Sequence, residues 1–231
     1  MIPLRDDNVP TRTPVVTRTL VGLCVLVFLW QMTLGPQGGQ AAVYGLGVIP
    51  AVLFGRETLP TELAVVPPSM TVLTSMFMHG GFMHLLGNML YLWIFGDNVE
   101  DSMRRPRYLL FYLLCGVAAV LAQALPAPDS TIPMVGASGA ISGVLGAYLL
   151  LFPGAHVLVA IPLGFVIQTV RLSAGVVLAM WFVLQLLSNL LASGEGGVAF
   201  RAHIGGFIAG MLLIPLFKRK DVPLRIPWGG R

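Results

Sequence analysis

Charge is scarce in this chain. Only 10% of its 231 residues are Asp, Glu, Lys or Arg, where a soluble domain carries about a quarter. That leaves too little polar surface to cover a water-soluble globule, and the mean hydropathy of +0.83 agrees. The composition implies an integral membrane protein built as one compact domain. Its net charge of +4 does not mark a nucleic-acid partner, because the basic residues sit at the ends of apolar runs. Cysteine is nearly absent. Cys24 and Cys115 both lie in apolar segments, which excludes a disulfide framework and favours packed thiols. The first 14 residues lack the charged, then apolar, then small-residue order of a signal peptide, so the first apolar run reads as a retained helix. Internal repeats and low-complexity tracts are also missing.

What is present is apolar length. Six runs stand out, at residues 17–34, 82–96, 108–125, 138–152, 172–192 and 203–217. A helix needs about 20 residues to cross a hydrocarbon core about 30 Å thick. The fourth run is too short to reach both surfaces, and a shallow helix survives where its end opens into a water-filled, protein-lined cavity. A seventh apolar piece, 157–167, contains Pro162 and Gly164 and reads as a connector. With the N-terminus inside, twelve Arg and Lys residues fall on the inner side, and only Arg56 and Arg201 fall outside. That bias places both termini in the cytoplasm. The expected division is a cytoplasmic segment 1–16, a six-span core 17–217 and a basic cytoplasmic tail 218–231. Asp97, Glu100 and Asp101 at the inner end of the second span are expected to pair with Arg104, Arg105 or Arg107, in a structural role.

Strongly polar groups inside a span are costly and usually functional. His84 and Asn88 on the second run, Ser138 at the head of the fourth and His203 at the head of the sixth all fall in the outer half of the membrane in this topology. His84 and Asn88 are four apart and share a helix face. Gly139 with Gly143, and Gly206 with Gly210, form two G-x-x-x-G spacings. Such spacings mark close helix contact and would bring the fourth and sixth runs together backbone to backbone. Each polar residue also has a duller reading: a serine bonded to a backbone carbonyl, an interfacial histidine, an asparagine gluing helices. A metal site is disfavoured, because His79 and His84 are five apart and point to different faces. His79 reads as a loop-orienting residue and His156 as solvated.

The segments His79-Gly-Gly-Phe-Met-His84-Leu-Leu-Gly-Asn88, Gly136-Ala-Ser138-Gly and Ala202-His203-Ile-Gly-Gly206-Phe-Ile-Ala-Gly210 closely resemble, in order and spacing, the three signature motifs of rhomboid proteases. Residues 96–101 are similar to prokaryotic members, and the resemblance covers roughly residues 17–217. It implies an all-α membrane protein, a six-span rhomboid-like bundle with a short central fourth helix. It further implies an intramembrane serine endopeptidase that cuts transmembrane segments of other membrane proteins, with no metal and no cofactor. On this likeness Ser138 is the nucleophile, His203 its base, and Asn88, His84 and the Ser138 backbone N–H the oxyanion hole. The first loop, 35–80, would lie partly embedded beside the core, and the site would open to the outer face of a prokaryotic plasma membrane. Partners would be transmembrane protein substrates and the lipid bilayer. The sequence carries no signal for an oligomeric state.

Two rival functions remain. A non-enzymatic rhomboid-like protein that binds membrane clients would lack the serine or the histidine, and both are here. A small transporter would need a polar path across the membrane, which the inner halves of the runs do not supply. One departure from the resemblance bears on mechanism. Some relatives carry an aromatic that stacks on the catalytic histidine four residues after the nucleophile, where this chain has Ser142. Its hydroxyl either orients His203 or only makes room for close packing. The Gly-rich loop 193–201, with Phe200 as a plug, is expected to cap the site.

Overall fold

The computed structural model describes residues 1–164, 166–191 and 199–225. Helices dominate. In chain order, strand β1 (Ile2–Asp6) is followed by α1 (Val15–Thr33), α2 (Gly35–Leu46), α3 (Pro50–Leu53), α4 (Pro68–Thr74), α5 (Phe82–Asp101), α6 (Arg105–Ala124) and α7 (Ser138–Leu151). A hairpin of β2 (His156–Leu163) and β3 (Val166–Ser173) then leads into α8 (Ala174–Leu191) and α9 (Phe200–Phe217). Each of the six apolar runs falls largely on one helix, the fifth beginning in the last two residues of β3. Four of them, α1, α6, α8 and α9, are long and apolar enough to cross a membrane. Helix α5 is equally long but ends on Asp97, Glu100 and Asp101. Helix α7 has 14 residues, about 21 Å at 1.5 Å each.

Helix α7 is the axis of the molecule. Eleven of its residues are buried, so it meets protein on every side, with α5, α6, α8 and α9 packed around it. Its glycines permit this. A Cβ on Gly206 would overlap the carbonyl oxygen of Gly139, and one on Gly210 would overlap that of Gly143. The two G-x-x-x-G spacings thus interlock α7 with α9, as close approach of small residues requires. On the α6 side, Gly139 and Gly143 rest against Ala119 and Cys115, and both cysteines are free and buried.

The acidic end of α5 departs from expectation. Glu100 accepts the backbone N–H groups of Val16 (2.9 Å) and Thr17 (2.7 Å) and the Thr17 hydroxyl (2.8 Å). Asp101 takes the N–H and hydroxyl of Thr11. None of these carboxylates forms an ion pair with Arg104, Arg105 or Arg107 among the described residues. The physical reason is at hand. Helix α1 starts after Pro14 with no side-chain cap of its own, and its first-turn amides offer a carboxylate unpaired N–H donors and a favourable dipole.

The chain is also not all-helical. Strands β1, β2 and β3 form an antiparallel sheet in that order. Segment 1–16 therefore packs onto the body through β1, and Asp6 accepts the Tyr148 hydroxyl (2.5 Å) from α7 and the Asn98 amide (3.0 Å) from α5. The connector at 157–167 is a β-hairpin, in which Val157 and Val159 are buried two residues apart, the period of a strand. The first loop folds into α2, α3 and α4, and Val48 pairs with Met134 just before α7.

Candidate active site

Four helices and one turn build the site. Ser138 is the first residue of α7, and the stretch before it is fixed by backbone bonds: Met134 to Val48, and the Gly136 N–H to the Ser75 carbonyl at 2.9 Å. Gly136 has φ +130°, a conformation open to glycine. A Cβ there would also strike the His84 ring and come within 3.6 Å of the Ser138 hydroxyl. The bare glycine therefore keeps open a space bordered by His84 and Ser138. His203 sits in the first turn of α9, whose start is steadied by Gln123 of α6 accepting the Ala202 N–H at 3.3 Å.

Interlocking of α7 and α9 brings His203 Nε2 to 2.8 Å from Ser138 Oγ. The other ring nitrogen, Nδ1, lies 2.8 Å from Gln185 Oε1 on α8. With the amide oxygen facing it, Nδ1 carries the proton and Nε2 is left as an acceptor for the serine hydroxyl. Trp181, one turn before Gln185, lies with its ring centroid 6.0 Å from the imidazole, tilted by 38°. Both Ser138 and His203 are half-buried, and Ser138 borders a small cavity of about 40 Å³ together with Gly136 and Ala199. That volume holds one or two waters. A larger cavity, about 310 Å³, lies in the first loop between Gly47 and Thr71 and includes no residue of this site.

On α5, His84 Nδ1 accepts the Gly80 N–H at 3.4 Å, which leaves its Nε2 as a donor. Asn88, one turn along, is buried, and its Nδ2 has no hydrogen-bond partner among the described residues. A buried, unsatisfied amide donor is costly and is expected where a ligand atom completes it. His79 precedes α5 in a turn clasped by Gln31, whose amide bonds both the N–H (3.0 Å) and the carbonyl (3.1 Å) of His79. Its ring meets His84 edge-on at 5.2 Å. His156, on β2, is exposed and lies 3.2 Å from Asp7.

Ser142 requires a correction. Its hydroxyl donates to the Ser138 carbonyl at 2.6 Å, the i to i−4 back-bond open to any helical serine, and it does not reach His203. Of the two readings of Ser142, the orienting one is not met in this geometry, where Gln185 lies by Nδ1 instead. The sequence holds one signal for it: a glutamine inside an apolar span needs a partner. The expected cap 193–201 falls largely outside the described residues, and Phe200 is the first residue of α9.

Comparison with known proteins agrees with the motifs. Residues 68–220 match the family model described as Rhomboid domain. The chain is 30% identical over 142 residues to RHOMBOID-like protein 5 of Arabidopsis thaliana, covering 62% of this chain and 42% of that one. It is 28% identical over 180 residues to the mitochondrial Rhomboid protein 1 of Saccharomyces cerevisiae (76% and 50%). Over 78 residues it is 42% identical to Rhomboid protease GluP of Bacillus subtilis (34% and 15%). It thus spans half or less of the length of these relatives, which are drawn from plant, yeast and bacterium and single out no prokaryotic subgroup. With the three motifs converging on one site and a family match over most of its length, this integral membrane protein belongs to the rhomboid family.

Proposed function

We propose that the chain is an intramembrane serine endopeptidase that cuts transmembrane segments of other membrane proteins. The observation that carries this reading is the 2.8 Å contact between Ser138 Oγ and His203 Nε2, within hydrogen-bond reach for proton transfer. On attack, Oγ bonds the scissile carbonyl carbon and its proton passes to Nε2. His203 then gives that proton to the leaving nitrogen as the C–N bond breaks. Water, activated by the same nitrogen, releases the acyl group from Ser138. The negative oxygen of each tetrahedral state needs fixed donors. Candidates are the Ser138 N–H, free at the first turn of α7, His84 Nε2 and the unpartnered Asn88 Nδ2. No step calls for a metal or a cofactor.

On this reading α1, α5, α6, α7, α8 and α9 form a six-span core. The excess of Arg and Lys at one side puts both termini in the cytoplasm, and the short α7 begins below the outer surface, where water reaches it. Substrates are the transmembrane helices of other proteins, met within the bilayer. The rival reading, a client-binding protein without activity, is disfavoured by the intact Ser138–His203 pair. Reconstituted protein incubated with a labelled single-span substrate separates the two. Fragments that disappear in Ser138→Ala support the protease; intact substrate with the unaltered protein, across a panel of single-span substrates, rejects it.

A further inference from the structure

We propose that Gln185 is the positioning residue for His203, and that together with Trp181 it makes α8 the element that orients the general base. The inference rests on the protease reading above. A neutral imidazole can take a proton from Ser138 only if Nε2 is bare, so its own proton must stay on Nδ1. Something must hold it there. Gln185 Oε1 stands 2.8 Å from Nδ1, whereas Ser142 makes no hydrogen bond with His203 among the described residues, its hydroxyl turning to the Ser138 carbonyl.

Gln185 follows the apolar stretch 174–184 on α8. An amide within an apolar span is expensive unless it finds a partner, and the Nδ1–H of His203 supplies one. The choice of an amide also fits the surroundings, since a carboxylate at this depth would bury a charge. Trp181 is one helical turn earlier on the same face. It lies against both His203 (6.0 Å, 38°) and Phe207 (6.0 Å, 28°), residues one turn apart on α9. Phe182 stacks on Phe207 from the same helix at 4.6 Å. The imidazole is therefore held at its nitrogen by Gln185 and flanked by an indole that is itself braced on α9.

The buried residues of α8, Ala174, Val177 and Leu178, all lie in its first half. At the level of the dyad, Trp181, Phe182 and Gln185 reach from α8 to α9. Here α8 supplies both a hydrogen bond to the ring and an aromatic beside it, neither of which comes from position 142. On the far side of the ring, His84 of α5 is the titratable neighbour, bordering Ser138 across Gly136.

The test is cleavage of a labelled single-span substrate by the reconstituted full chain, with kcat and KM followed across pH for Gln185→Met and Gln185→Glu. Methionine keeps the length and removes the acceptor. It should lower kcat by about tenfold, a fraction of the general-base contribution, with KM unchanged. Glutamate keeps the acceptor and should restore kcat to within about threefold at alkaline pH. Because a carboxylate beside the ring favours the imidazolium, Gln185→Glu should also move the acidic limb of the pH–rate profile to higher pH. A purely space-filling glutamine would leave the methionine variant active and the acidic limb in place, and either result overturns the inference. If Gln185→Met does not insert or fold, the limb position in Gln185→Glu decides alone. Failure of the unaltered protein to cleave would refute the protease reading instead, so the two failures are distinguishable.

Discussion

Gly206→Ala is the sharpest probe of how the fold makes the site. Gly206 lies three residues after His203, and its nearest neighbour is the carbonyl oxygen of Gly139, the residue after Ser138. A methyl group there has no free volume, and the obstacle is backbone on a buried helix. A Cβ there would sit 2.0 Å from that oxygen, so ordinary van der Waals contact, at 3.4 Å or more, is restored only if α9 moves from α7 by about 1.4 Å. Applied to the dyad, that shift takes the 2.8 Å separation of Oγ and Nε2 beyond hydrogen-bond reach. Displacements of about 1 Å cost on the order of a hundredfold in rate, and overpacking costs about 1–3 kcal/mol in stability. The assay is cleavage of a reconstituted single-span substrate together with Tm in detergent. Gly22→Ala on α1, where a Cβ meets nothing within 4 Å, is the neutral control. Gly206→Ala with unaltered rate and Tm would refute the argument that glycine contact sets the dyad distance.

Two further outcomes follow from the same geometry. Asn88→Ala should lower kcat by about a hundredfold, the usual cost of one oxyanion donor, with little change in KM; an effect confined to KM would make Asn88 a substrate-positioning residue. Burial, with a smaller push from His84, lowers His79 from 6.5 to about 4. The fold therefore keeps this imidazole neutral while the unfolded chain protonates below 6.5, so stability falls as pH drops from 6.5 towards 4. His79→Phe should flatten that part of a Tm-against-pH curve, and an identical slope in the variant would contradict the assignment.

Much of the site was legible because its signals are periodic or positional. Ser138 and His203 fall at the heads of apolar runs, and those heads became the first turns of α7 and α9. Glycines four apart have few uses in an apolar helix other than close contact, and α7 and α9 use them so. The contacts that escaped are between residues far apart in the chain with no shared spacing. Gln185 shares its run with a second amide, Asn189, and only packing shows that Gln185 is the one facing Nδ1 of His203. Glu100 caps α1 from 83 residues away, where a local rule pairs it with the arginines that follow. The sheet was hidden because β1 lies in a polar, proline-containing stretch and β2 carries Pro162, both poor strand signals. Ser142 stood between two readings for a simpler reason: spacing alone does not tell which way a hydroxyl turns, and here it bonds the Ser138 carbonyl of its own helix.

The central claim, that His203 activates Ser138, is tested most directly by reaction with a fluorophosphonate followed by peptide mass mapping. The account predicts a single adduct on the peptide containing Ser138, absent in Ser138→Ala and formed at least a hundredfold more slowly in His203→Ala. An adduct on a different serine, or equal labelling of Ser138 with and without His203, would contradict it.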